Sequence, residues 1–238
     1  MMRIKIKTRI KYLPLELIGW MCNSNLAKKF SKNFLPDDFH IRALCYHDVP
    51  DEKADSFEKQ ITFLKKEYNI ISAEQLRDFF LGRGFLPGAN VFLTFDDGSQ
   101  DQYFNAARIL DKYKIKGCFF VNTSEVGKEG FLGARPKTPL RSMSWEQIIA
   151  LHKGGHTIGS HGADHHNLAK LQPYEINHQL VGSKKILEEK LRDKIDFFAF
   201  PYGTRKQISH EAFLLAKRVY GFNFTAVGGK NHFALANR

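Results

Sequence analysis

Three observations predict an α/β fold for this chain, one parallel sheet covered by helices. Short apolar, β-branched or aromatic runs recur at residues 41–46, 91–95, 117–121, 156–158, 197–200 and 222–227. Stretches with helical spacing separate them, at 56–66, 73–81, 101–113, 145–153, 173–192 and 209–220. The chain has 238 residues and 43% hydrophobic content, 21 Phe among them, enough to bury one core. Strand–helix alternation of this kind makes the strands parallel, in an open sheet or a barrel. The sequence shows no internal repeat, low-complexity tract or linker.

The first 40 residues differ from the rest and are read as a basic amphipathic extension, with the main domain over 41–238. Residues 1–42 hold nine Lys/Arg against three acidic residues, so they carry +6 of the total charge of +11. Pro14 and Glu16 interrupt the apolar stretch after the basic start, which makes a poor signal core. Residues 1–21, with Trp20, instead suit peripheral contact with an anionic membrane; an arm packed on the domain or frayed is the alternative. This leaves localisation open between cytoplasmic and membrane-associated at the cell envelope, with export open as well. No run of about 18 apolar residues is present, so no helix is expected to span a bilayer. The remainder is only mildly basic and carries no zinc-finger, RNP or helix-turn-helix pattern, so no nucleic-acid partner is expected.

Each helix has a local reason. The 56–66 stretch carries Phe57, Ile61, Phe63 and Leu64, and 101–113 carries Phe104, Ala107 and Leu110. Ser72 and Ser144 precede their helices as N-caps, and 209–220 carries Phe213, Leu214 and Ala216. Trp145 is expected to pack its helix onto the sheet. Cys22, Cys45 and Cys118 are far apart and odd in number, which gives no disulfide framework. Cys45 and Cys118 lie in apolar runs and read as inert core residues.

The strand ends carry the chemistry. The runs lead to His47-Asp48, Asp96-Asp97-Gly98, Asn122-Thr123, Ser160-His161 and Pro201-Tyr202-Gly203. In parallel α/β folds active sites collect at the carboxyl ends of strands, so these groups are expected to share one face. Adjacent carboxylates such as Asp96 and Asp97 repel unless a cation or a proton offsets them; an ordinary acidic turn is the plainer reading. His161 and His165, at i and i+4, can share one face of a helical turn and reach one divalent ion. Two imidazoles and a carboxylate suit a borderline metal with room left for water. The remaining histidines, His40, His152, His156, His178 and His210, read as surface or supporting residues.

These segments together resemble the polysaccharide deacetylase family, the NodB-homology domains of carbohydrate esterase family 4. Thr94-Phe95-Asp96-Asp97-Gly98 is similar to its first motif, and residues 155–168 to its second. Phe198-Ala199-Phe200-Pro201-Tyr202-Gly203 is similar to its third. The resemblance implies a distorted (β/α) barrel of about seven parallel strands, incomplete at the C-terminal end. It also implies a metal-dependent hydrolase that removes N-acetyl groups from N-acetylglucosamine-type units of a polysaccharide or a lipid-linked or envelope glycan. By the same resemblance Asp97, His161 and His165 would bind the metal, and Asp96 would be the general base. Tyr202 would offer its backbone N–H to the oxyanion, with Pro201 and Tyr202 contacting substrate. Zinc is the first choice of metal, with cobalt, nickel or manganese as alternatives.

Three departures accompany the resemblance. Gly162 stands where the family usually has Ser or Thr, so a supporting hydroxyl is lacking, and His166 stands where Pro is common. No late Leu-x-His motif, the family's general acid, follows Val227. His47 is then a candidate acid or substrate contact, a structural histidine being the alternative; His232 and Arg238 are weaker candidates. Two other readings stay open: a deformylase or amidase on a small or lipid-linked substrate, and a degenerate carbohydrate-binding protein.

Overall fold

The computed structural model describes residues 40–84, 86, 88–130 and 140–227. The expected membrane-contacting segment, His232 and Arg238 lie outside the described residues. No helix among the described residues is long and apolar enough to cross a membrane.

Among the described residues seven parallel strands form one sheet: β1 (His40–Tyr46), β2 (Asn69–Ile71), β3 (Ala89–Phe95), β4 (Cys118–Val121), β7 (Thr157–Ser160), β8 (Phe197–Ala199) and β9 (Phe222–Phe224). The order is β1-β3-β4-β7-β8-β9, with β2 also pairing β3. A two-stranded antiparallel pair, β5 (Glu129–Gly130) and β6 (Leu140–Arg141), lies apart from it. The helices are α1 (Asp51–Glu67), α2 (Ala73–Phe80), α3 (Arg108–Lys112), α4 (Trp145–Lys153), α5 (Pro173–Asn177), α6 (Ser183–Leu191) and α7 (His210–Val219). This is the expected α/β architecture, a parallel sheet curled into an incomplete (β/α) barrel. Strand β2, three residues long, and the β5–β6 pair escaped the sequence reading.

Side-chain alternation divides the core in two. Leu93, Phe95, Phe119, Ile158 and Phe198 face outward into the layer beneath the helices. Ile41, Phe92, Cys118, Phe120, Phe197, Ala199 and Phe222 face inward, with Leu76, Phe79 and Phe80 of α2 packed against them. The inner cluster is largely aromatic: the Phe197 and Phe222 rings stack at 4.9 Å, and Phe120 and Phe224 lie 5.3 Å apart. Ser72 and Ser144 cap α2 and α4 in full capping boxes, as their positions predicted. Trp145 is half-buried against the outer cluster.

Two helical segments differ from plain α-helix. Gln102–Ala107, before α3, and His178–Gly182, between α5 and α6, are π-helical. In the first, Gln102, Asn105, Ala106 and Ala107 are buried and Phe104 is 53% exposed, although periodicity had placed Phe104 inward. The wider turn shifts the inward face by part of a residue, and polar side chains take it. On α7 the buried positions are Ala212 and Ala216, with Phe213 and Leu214 exposed.

Candidate metal centre

Strand parity brings the first groups to the open end of the barrel. Each of β1, β3 and β7 carries its inward-facing series one residue past the strand, to His47, Asp96 and His161. Asp96 N donates to the Tyr46 carbonyl at 2.9 Å and His161 N to the Val121 carbonyl at 2.9 Å, so both strand ends are tied to a neighbour. The buried Gln102 of the first π segment donates Nε2 to the carbonyls of both His47 and Asp96, each at 2.5 Å. Sequence reasoning missed this glutamine.

Asp97, His165 and Tyr202 reach the site through backbone that most residues avoid. Their φ angles are 74°, 60° and 60°, and the other described non-glycine residues with positive φ are Lys114 and Arg192. Lys114 lies just past the end of α3 and Arg192 caps α6. Left-handed non-glycine residues gathered at one spot mark stored local strain of the kind found at functional sites. The histidines do not share a helical turn, as the i, i+4 spacing suggested. Residues 161–167 are loop, and the turn at Gly162 (φ 88°) followed by His165 brings the two rings to 4.9 Å.

The result is a compact donor set. His161 Nε2 and His165 Nε2 lie 3.5 and 3.4 Å from Asp97 Oδ1, and all three residues are buried. These separations exceed a good N–H···O hydrogen bond. They match the edge of about 3.3 Å between nitrogen and oxygen donors in a tetrahedral zinc shell. The His161 Nδ1–H donates to the Ala199 carbonyl at 2.8 Å, a partner that fixes the tautomer and leaves the Nε2 lone pair toward Asp97. Burial lowers the pKa of His165 to about 4, His161 and His47 push the same way, and Asp97 opposes them. The His165 imidazole is therefore neutral at physiological pH, the form that binds metals. Asp97, His161 and His165 together fit one divalent cation.

The loop that carries the histidines is held by a second missed glutamine. Gln179 Oε1 accepts from Ala163 N at 2.8 Å, and its Nε2 donates to Asp164 Oδ1 at 2.5 Å. His166 Nδ1 pairs with the same Asp164 oxygen at 2.6 Å. Gly162 N donates to Ser160 Oγ, which bonds Ser183 Oγ at 2.8 Å. Sequence signals for Gln179 were absent, because it sits mid-helix with no motif around it.

Of the remaining candidates, Tyr202 packs edge-on to the His165 ring at 4.6 Å. Gly203 N donates to the Pro201 carbonyl at 2.7 Å, which closes a three-residue turn around Tyr202. His47 lies close to Asp96, and with Cys45 the three place donor atoms within 4.8 Å of one another. Cys45 is a correction to the sequence reading: Cys118 is buried, but Cys45 is exposed. β1 pairs with β3 alone among the described strands. Surrounding protein raises the Cys45 thiol pKa well above its ordinary value, with Asp96 adding to the shift, while solvent still reaches the residue. His156 is buried at the other end of β7, its Nδ1 accepting from Gly117 N at 3.2 Å.

The family model described as polysaccharide deacetylase matches residues 85–220. The poly-β-1,6-N-acetyl-D-glucosamine N-deacetylase of Staphylococcus aureus (strain MRSA252) is 28% identical over 177 residues, 70% of this chain and 59% of that protein. The chain thus spans about three fifths of the length of such curated relatives. The solved structure of IcaB from Ammonifex degensii is 28% identical, with a TM-score of 0.68, and the match covers 81% of this chain and 87% of that one. A de-N-acetylase from Aggregatibacter actinomycetemcomitans, 20% identical, has the same fold, with a TM-score of 0.68 over 82% of this chain and 91% of its own. Both the first and second motifs, with Asp96, Asp97, His161 and His165, fall inside the matched span, and on that match the chain belongs to the polysaccharide deacetylase family.

Proposed function

We propose that this chain is a metal-dependent N-deacetylase acting on N-acetylglucosamine units of an amino-sugar polymer of the poly-β-1,6-linked kind. The observation that carries the reading is the convergence of Asp97, His161 and His165 on one buried point in a family of polysaccharide deacetylases. The N-deacetylase activity of the Staphylococcus aureus relative on poly-β-1,6-N-acetyl-D-glucosamine supports the choice of polymer.

Asp97, His161 and His165 would hold the divalent cation, zinc by preference, which when bound supplies Lewis-acid polarisation of the acetamide and activation of water. Every other role falls to the chain. Asp96 is the general base that takes a proton from the attacking water, its neighbour Asp97 being engaged by the cation. The Tyr202 backbone N–H faces the developing oxyanion, held by the Pro201–Gly203 turn. His47, beside Asp96, is the group that returns a proton to the leaving amine. The products are acetate and a free amine on the sugar.

The test is acetate release from poly-β-1,6-N-acetylglucosamine and its oligomers by the metal-loaded protein. Release that is lost on chelation and restored by zinc, cobalt, nickel or manganese supports the reading. Formate release instead would favour a deformylase, and saccharide binding indifferent to chelator would leave a binding protein.

A further inference from the structure

We propose that Cys45, His47 and Asp96 form a second divalent-cation site, of sulfur, nitrogen and oxygen donors, whose occupation by a soft cation such as zinc switches the enzyme off. The switching half rests on the reading of Asp96 as general base; the site itself does not.

The geometry comes from the strands. Cys45 and His47 are two apart on β1 and its extension, so both face inward, and Cys45 stands opposite Thr94 in the β1–β3 register. Asp96, two beyond Thr94, faces the same way. Their donor atoms, Sγ, an imidazole nitrogen and a carboxylate oxygen, lie within 4.8 Å of one another. A tetrahedral ion with bonds of about 2.0–2.3 Å needs its donors roughly 3.3–3.5 Å apart, within reach of small side-chain rotations. Gln102 bonds the carbonyls of His47 and Asp96, so the two main-chain segments that carry these side chains are tied together before any ion arrives. Exposure of Cys45 gives the ion a route in.

The two sites differ in chemistry. The Asp97 centre offers two nitrogens and an oxygen, whereas the Cys45 site adds a thiolate, which selects zinc or cadmium over manganese. Binding there releases the thiol proton to solvent and engages the Asp96 carboxylate, which then cannot accept a proton from water. At limiting zinc the enzyme works; at excess zinc it stops.

Thiolate ligation provides a readout that the Asp97 centre cannot produce. The full chain is titrated with cobalt(II) and followed for thiolate-to-cobalt charge transfer in the near ultraviolet, as wild type, Cys45→Ser and Asp97→Asn. The expected result is a band in wild type and in Asp97→Asn, and none in Cys45→Ser. No band in wild type, or a band that persists in Cys45→Ser, overturns the site. In parallel, excess zinc should lower wild-type acetate release by about a hundredfold or more, the range lost with a general base, and spare Cys45→Ser. Equal inhibition of both overturns the switch. Absence of acetate release at every zinc level would instead sink the deacetylase reading and leave the cobalt band as the test of the site.

Discussion

Gly162 and Gln179 are fitted to each other. A Cβ built on Gly162 would stand 2.9 Å from Gln179 Oε1, the oxygen that accepts from Ala163 N. The family more often has a hydroxyl residue at position 162; here the glycine makes room for an amide that holds the same loop from the outside. Gly162→Ser is therefore expected to cost about 2–4 kcal/mol, from the left-handed backbone and the displaced amide together. Gln179→Ala should weaken metal affinity, because the loop carrying both histidines loses its clamp. The double variant should be less damaged than the two single effects added. A double-mutant cycle by urea unfolding and zinc competition measures this coupling, and strict additivity would refute it.

Asp96 and Asp97, though adjacent, should fail in different ways. Asp97→Asn is expected to lose the cation, since it removes the charge opposite both imidazoles. Asp96→Asn should keep the cation and lose turnover by about a hundredfold or more. Metal analysis of both proteins after dialysis, set beside their acetate-release rates, decides the assignment. Metal loss in Asp96→Asn would reverse it.

Strand ends were legible in the sequence because two simple signals coincide there: alternation fixes which way a side chain faces, and residue type says what it does. That reasoning expected His47, Asp96, Asp97 and His161 to share one face, and the His-x-x-x-His spacing added His165. It failed where backbone leaves the regular pattern. The i, i+4 argument put His161 and His165 on one helical turn, whereas left-handed turns in a loop bring their rings to 4.9 Å. Gln102 and Gln179 were invisible for a related reason. Each lies in a π-helical segment whose hydrogen-bond pattern leaves no periodic trace, and each turns a buried amide toward the site. Cys45 was misjudged because its apolar neighbours do not reveal that β1 pairs with β3 alone among the described strands and leaves this side chain exposed.

Acid should weaken the metal-free protein. The pKa of His165 falls from 6.5 when unfolded to about 4 when folded, chiefly by burial. Between those pH values the unfolded chain binds a proton that the folded one refuses, so stability rises with pH across this window and falls as acid is added. Burial lowers the pKa of His156 as well, with the same sign. For His165 alone the loss from pH 7 to 4 is on the order of 3 kcal/mol. Urea unfolding of chelator-treated protein at pH 7, 5.5 and 4.5 should show a falling midpoint. His165→Gln should flatten the trend, and an unchanged slope would show that the residue titrates normally.

Gly203 is the position where a single methyl group should do most harm. Its φ is 61°, and an added Cβ would lie 2.4 Å from Ala226 N and 2.8 Å from Ala226 Cβ. Neither side can yield easily. Gly203 N is bonded to the Pro201 carbonyl, and Ala226 N to the Gly203 carbonyl at 2.9 Å, so the methyl would push the turn off the segment after β9. A left-handed alanine costs about 1–2 kcal/mol and overpacking about 1–3 more, so Gly203→Ala is expected to lose about 2–5 kcal/mol. The same displacement carries Tyr202, and with it the N–H proposed for the oxyanion, so kcat should fall even where the variant is fully folded. The neighbouring exposed Lys206→Ala should change stability by no more than about 0.5 kcal/mol. Urea unfolding and acetate-release kinetics on the two variants test both halves. A Gly203→Ala protein as stable and as active as wild type would show that the turn around Tyr202 has slack that its hydrogen bonds do not suggest.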